Sequence, residues 1–123
     1  QVCSIGQEDQ RPLVDRAMSF LRGHFAANPL QYRPVILRGT ELDSKTSLTI
    51  VAYLSEDELW YIPEVIDGIL EREGYAARRV WSDLAAANLI KTSGRNLTIQ
   101  RQHGNIVPKN SFRVMPGAHM HEA

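Results

Sequence analysis

Apolar residues fall at helical spacing in two successive runs from Ile62 to Ala85. In the first, Ile62, Val65, Ile66, Ile69 and Leu70 recur three and four apart, with Glu64, Asp67, Glu71 and Arg72 on the other face. That spacing predicts an amphipathic helix with one core-facing stripe. Pro63 suits its first turn, where the leading N–H groups have no intrahelical acceptor. Gly74 suits its end, because it readily takes the left-handed conformation that closes a helix. Ala77, Val80, Trp81, Leu84 and Ala85 then open a second run almost at once. Two helices joined by so short a Gly-containing turn predict a helix-turn-helix. Three short β-prone runs come next at 89–91, 97–100 and 112–115, separated by Thr92-Ser93-Gly94-Arg95 and by Gly104-Asn105. A helix pair followed by a ribbon is the pattern of a winged helix.

Upstream, Pro12 opens a helix that runs to about Ala27. Val14, Ala17, Met18, Leu21 and Phe25 form its stripe, widened by Leu13 and Phe20, and Asn28-Pro29 closes it. His24 lies near the stripe and reads as a packed core or rim residue. Runs 34–38 and 47–54 are β-prone and flank a polar loop at 39–46. Leu48, Ile50, Ala52 and Leu54 alternate with Thr49, Val51 and Tyr53, as in a half-buried strand. An acidic turn at 55–58 leads to another short strand at 59–62. The expected fold is α+β: an N-terminal helix, a small antiparallel sheet and a winged helix-turn-helix. Residues 1–10 read as a flexible tail, 11–117 as one domain and 118–123 as a second tail.

At 123 residues with 43% hydrophobic content, the chain suits a single globular domain. Its apolar runs are too short to span a bilayer, and no membrane partner is expected. Cys3 is the only cysteine, so no internal disulfide forms and a reducing, cytoplasmic setting is the default. The chain begins with Gln, which suggests a piece of a longer polypeptide. The formal net charge of zero hides a division. Residues 1–74 hold 7 basic and 12 acidic side chains, whereas residues 75–115 hold 7 basic ones and only Asp83 as an acid. A biased half of this kind points to a polyanionic partner.

Other candidate chemistry weakens on inspection. Gly39, Lys45 and Thr46 have the spacing of a phosphate-binding loop, but Ser44 replaces the second glycine and Glu41 and Asp43 would repel a triphosphate. The run after Thr46 is rich in β-branched residues, so no helix N-terminus faces the anion, and a polar hairpin loop is the better reading. His119-Met120-His121-Glu122 is a weak metal motif at a chain end. Glu56, Asp57, Glu58 and Glu64 read as a solvated acidic patch rather than an acid–base pair. Cys3 lacks the basic neighbour that would activate a thiol. No catalytic constellation stands out, and no metal or cofactor is implied. There remain the second helix and the ribbon. Arg78, Arg79, Ser82 and Asp83 fall opposite Val80, Trp81 and Leu84, where a recognition helix presents its early residues to a major groove. Lys91, Arg95, Arg101 and Lys109 lie on or beside the ribbon, placed to meet phosphates. Aromatic residues are few there, which favours duplex over single-stranded DNA.

Glu58-Leu59-Trp60-Tyr61-Ile62-Pro63-Glu64-Val65 resembles the aromatic–aliphatic–Pro-Glu-Val segment near the end of mobile-element helicases, the AAA-plus, MCM-like proteins of phages, plasmids and chromosomal cassettes. Val80 and Leu84, the turn Leu89-Ile90-Lys91-Thr92-Ser93-Gly94, and Phe112-Arg113-Val114 fit the helix, turn and ribbon that come after it in that family. Met18, Phe20 and Leu21, and Ala52-Tyr53, fit the upstream part. The C-terminal domain of relaxases from integrating conjugative elements is similar in arrangement. The resemblance covers roughly half the chain. It implies a non-catalytic accessory domain at the end of a larger DNA-processing protein, with DNA and neighbouring domains as partners. The competing class is a protein–protein interaction module that uses the acidic half.

Overall fold

A computed structural model describes residues 12–34, 49–103 and 107–121. Helix α1 spans Leu13–Ala27, and a 3-10 turn at Pro29–Gln31 leads into β1, Tyr32–Pro34. Strands β2 (Ala52–Leu54) and β3 (Glu58–Tyr61) precede helices α2 (Pro63–Arg72) and α3 (Ala77–Ala86). Strands β4 (Ile99–His103) and β5 (Val107–Pro116) come next, and a 3-10 helix, Gly117–His121, comes after β5. The fold is α+β, with an N-terminal helix and a small five-stranded sheet in the order β1-β2-β3-β5-β4.

The two central helices end alike. Gly74 takes φ 92 after α2, with its N–H donating to the Glu71 carbonyl and the Tyr75 N–H donating to that of Leu70. Asn88 takes φ 62 after α3, with the Asn88 and Leu89 N–H groups reaching the carbonyls of Ala85 and Leu84. Both are the paired closure that satisfies the last carbonyls of a helix. Only the first advertises itself with a glycine. Asn is the residue that tolerates the same conformation next best.

Period-two alternation gives β3 two buried faces. Leu59 and Tyr61 join Met18 and Leu21 of α1, Ile66 and Leu70 of α2, and Val80, Trp81 and Leu84 of α3 in the main core. Trp60 points the other way, into a second cluster with Phe112, Val114 and Val107. The stripes predicted from spacing on all three helices are the ones buried.

Four expectations need correction. The sheet is mixed rather than antiparallel, because β1 pairs with β2 in parallel, Tyr32 opposite Ala52 and Pro34 opposite Leu54. The polar hairpin loop expected at 39–46 lies outside the described residues, as does the tail at 1–10. Glu58 is not part of a solvated patch but is buried at 8% exposure, while Glu56, Asp57 and Glu64 are exposed as expected. Residues 118–121, read from the sequence as the start of a tail, belong to the 3-10 helix Gly117–His121. The Gly117 N–H donates to the Asp57 carbonyl, and Arg22 Nε donates to the His119 carbonyl. The β4–β5 ribbon is longer than its apolar runs suggested, and β5 pairs with β3 from Glu58–Pro116 to Tyr61–Arg113.

Candidate nucleic-acid interface

Helix α3 buries Ala77, Val80, Trp81 and Leu84, so its 3.6-residue period leaves Arg78, Arg79 and Ser82 exposed. Arg79 Nε lies 3.3 Å from Asp83 Oδ2, one turn along the same helix, and its side chain stays 71% exposed. Beyond α3, Ser93 and Asn96 exchange backbone hydrogen bonds across Gly94-Arg95, with Gly94 at φ 61. A left-handed glycine at the first central position is what a two-residue hairpin turn favours, and it puts Arg95 at an exposed tip. Arg78 and Arg95 line one open depression of about 420 Å³ with Asn96 and Thr98, backed by Asp67, Glu71 and Arg113.

That backing is a closed polar knot. Arg113 donates from Nε to Asp67 Oδ1 at 2.9 Å and from Nη2 to Asp67 Oδ2 at 2.7 Å. Trp81 Nε1 donates to Asp67 Oδ1 at 2.7 Å, and the Arg113 guanidinium lies 5.1 Å from the Trp81 ring centroid. One carboxylate therefore ties α2, α3 and β5 together, and it fixes how α3 presents Arg78. Glu71 accepts from the Ala77 N–H at 3.3 Å, which places an acid at the start of α3.

A second knot lies at Glu58 in β3. Its Oε1 accepts from Trp60 Nε1 at 2.8 Å and from Arg101 Nε at 3.0 Å, while Oε2 accepts from Lys91 Nζ and from Arg101 Nη2. Burial alone would raise the Glu58 pKa. The hydrogen bonds from Arg101, Lys91 and Trp60 outweigh it and hold the carboxyl at about 2. The same pairing raises Arg101 above its ordinary value.

The seven residues singled out by sequence thus divide. Arg78, Arg79 and Ser82 share the exposed face of α3, with Arg95 near them across the depression. Lys91 and Arg101 are committed to Glu58. Lys109 is exposed on β5, and among the described residues it lines neither that depression nor the Glu58 cluster. Sequence reasoning misses the Asp67–Arg113–Trp81 knot, although one signal is present. Arg113 has the same strand parity as the core residue Met115, and a charge on the core side of a strand needs a partner. It also misses Asn96, Thr98, Gln100 and Ser111, for which composition carries no comparable signal.

Among the described residues no group of three or more His, Cys, Asp or Glu side chains could hold a metal ion. Among them, too, no helix is long and apolar enough to cross a membrane. The sequence matches no protein family and no curated protein.

Proposed function

We propose that this chain is a non-catalytic nucleic-acid-binding domain. In this reading it is a winged-helix accessory module of a larger DNA-processing protein, a helicase or relaxase of a mobile genetic element. The observation that carries the reading is the edge formed by α3 and the 93–96 turn. Arg78 and Arg95 border one depression, Arg79 and Ser82 lie exposed on the same helix, and neither Arg78 nor Arg95 is in an ion pair among the described residues. Exposed guanidinium groups on the first turns of a helix suit phosphates and base edges at a duplex groove.

The test is fluorescence anisotropy with a labelled DNA duplex at low salt. The double substitution Arg78→Glu and Arg95→Glu should weaken binding at least tenfold at unchanged thermal stability. Wild-type protein that binds no duplex at low salt sinks the reading. A protein–protein interaction module is the second reading, favoured by the pairing of Lys91 and Arg101 with Glu58 and of Arg113 with Asp67. Those pairs engage three of the basic half's seven cations, which leaves fewer of them free for a polyanion than its composition implies.

A further inference from the structure

The depression beside Arg78 and Arg95 does not end at the turn. It continues into a second of about 370 Å³ that shares Asn96 and Thr98 with it and is lined further by Ser93, Gln100 and Ser111. Gln100 and Ser111 are register partners across β4 and β5, so their side chains stand on one face of the ribbon. The strip therefore runs from the start of α3 along the ribbon, with two arginines at one end and uncharged amides and hydroxyls along the rest. Among the described residues the side chains of Asn96, Thr98, Gln100 and Ser111 make no hydrogen bond, so their donors face water.

Four features narrow what such a strip can hold. It is concave, so it suits a convex ridge rather than a flat base edge. Its donors are neutral, and neutral side chains of these types are common partners of phosphate oxygens and sugars. The ring of the ribbon is not available to bases, since Phe112 is 3% exposed and stacks at 5.9 Å on Trp60 of β3, itself 5% exposed. Stacking platforms are what single-strand binders need. Glu71 already occupies the first N–H of α3, so a phosphate is not drawn to that helix end.

We infer that the strip is a backbone track for duplex nucleic acid, in which Asn96, Thr98, Gln100 and Ser111 hydrogen-bond one phosphodiester strand and Arg78 and Arg95 neutralise phosphates, joined at most by Arg79 when a phosphate displaces Asp83 from it. This rests on the nucleic-acid reading above and adds the chemistry of contact. Affinity on such a track depends weakly on salt, because neutral hydrogen bonds release no counterions. With two phosphates neutralised, or three when Arg79 joins them, log K against log salt should fall with a slope of about −2 to −3.

The experiment measures binding of a labelled duplex of about 20 base pairs, and of the matching single strand, from about 20 mM to about 200 mM salt. The expected result is a shallow slope, a preference for the duplex, and no strong dependence on its sequence. Asn96→Ala, Gln100→Ala and Ser111→Ala should each lower affinity about three- to tenfold and leave the slope unchanged. Arg78→Gln should make the slope shallower by about 1. A wild-type slope steeper than about −5, or a triple Ala variant that binds like wild type, overturns the track while leaving duplex binding intact. No binding at the lowest salt overturns both. Melting curves of each variant separate lost contacts from lost fold.

Discussion

Two groups of basic side chains sit within one small domain and have opposite fates. On one side of the sheet, Lys91 and Arg101 close on Glu58, a buried carboxylate that also accepts from the Trp60 indole. At the α3 edge, Arg78 and Arg95 border an open depression lined by two carboxylates, of which Asp67 is held by Arg113 and Trp81 and Glu71 accepts from the Ala77 N–H. Residue type does not distinguish the groups, since all are Lys or Arg from the same basic half. What distinguishes them is whether a buried acid lies within reach. A carboxylate removed from water must find cations or take up a proton, so buried Glu58 claims its partners first, and half-buried Asp67 holds Arg113 in a two-pronged contact. The cations left over are the ones available to a ligand.

The largest effect that would break this division is at Glu58. Glu58→Ala leaves Lys91 and Arg101 without a counter-charge and the Trp60 N–H without its acceptor. Because both cations keep access to water, the cost falls at the low end for a broken buried pair, about 3 kcal/mol, or a melting midpoint lower by on the order of 10 °C. The same residue sets an acid limb. Its folded pKa of about 2 lies below the ordinary value of 4.5, so its contribution is complete above pH 4.5 and is lost as pH falls toward 2. The shift corresponds to on the order of 3 kcal/mol. Urea unfolding followed between pH 6 and pH 2 should show wild type losing that much more stability than Glu58→Gln. Parallel acid limbs would mean that Glu58 is not the paired acid.

An intermediate effect is expected at the second knot. Arg113→Lys keeps the charge but loses the two-pronged contact with Asp67 and the planar face over Trp81. Lysine matches neither geometry, so stability should drop by about 1–2 kcal/mol in denaturant unfolding. Because the knot orients α3, duplex affinity should fall with it even though Arg113 itself meets no phosphate. A salt slope shallower by about 1 in a charge-removing Arg113→Gln variant would instead make Arg113 a direct contact.

These outcomes bear on how much of the molecule could be read from its sequence. The helices were legible because each repeats its apolar spacing over ten or more residues, and Arg78, Arg79 and Ser82 follow from that period alone. Strand direction was not legible. Alternation tells which face of a strand is buried but not how its neighbour runs, and the parallel β1–β2 pair looked like a hairpin. The Glu58 knot was hidden for a related reason. Lys91 lies 33 residues from Glu58 and Arg101 lies 43 away, so the pairing depends on how β3, β5 and β4 are ordered in the sheet. A run of Glu-Asp-Glu at a turn looks solvated until the strand after it is seen to be buried on both faces.

The smallest effect sharpens the comparison at the exposed end. Arg79 and Asp83 are ion-paired at 3.3 Å, and by contact alone the pair resembles those at Glu58 and Asp67. Its setting is different, because the arginine side chain is 71% exposed and the partner is one helical turn away. Water screens such a pair, and fixing two long side chains costs rotamer entropy, so Arg79→Ala should change stability by less than about 0.5 kcal/mol. If α3 faces a duplex, a phosphate can displace Asp83 from Arg79 at little cost, which a buried knot would not permit. Arg79→Ala should then weaken duplex binding by more than its stability change predicts, while Asp83→Asn strengthens it slightly by freeing the guanidinium and removing a negative charge. If Arg79→Ala leaves affinity untouched and Asp83→Asn weakens binding, the nucleic acid does not reach Arg79, and the available cations reduce to Arg78 at the start of α3 and Arg95 at the turn.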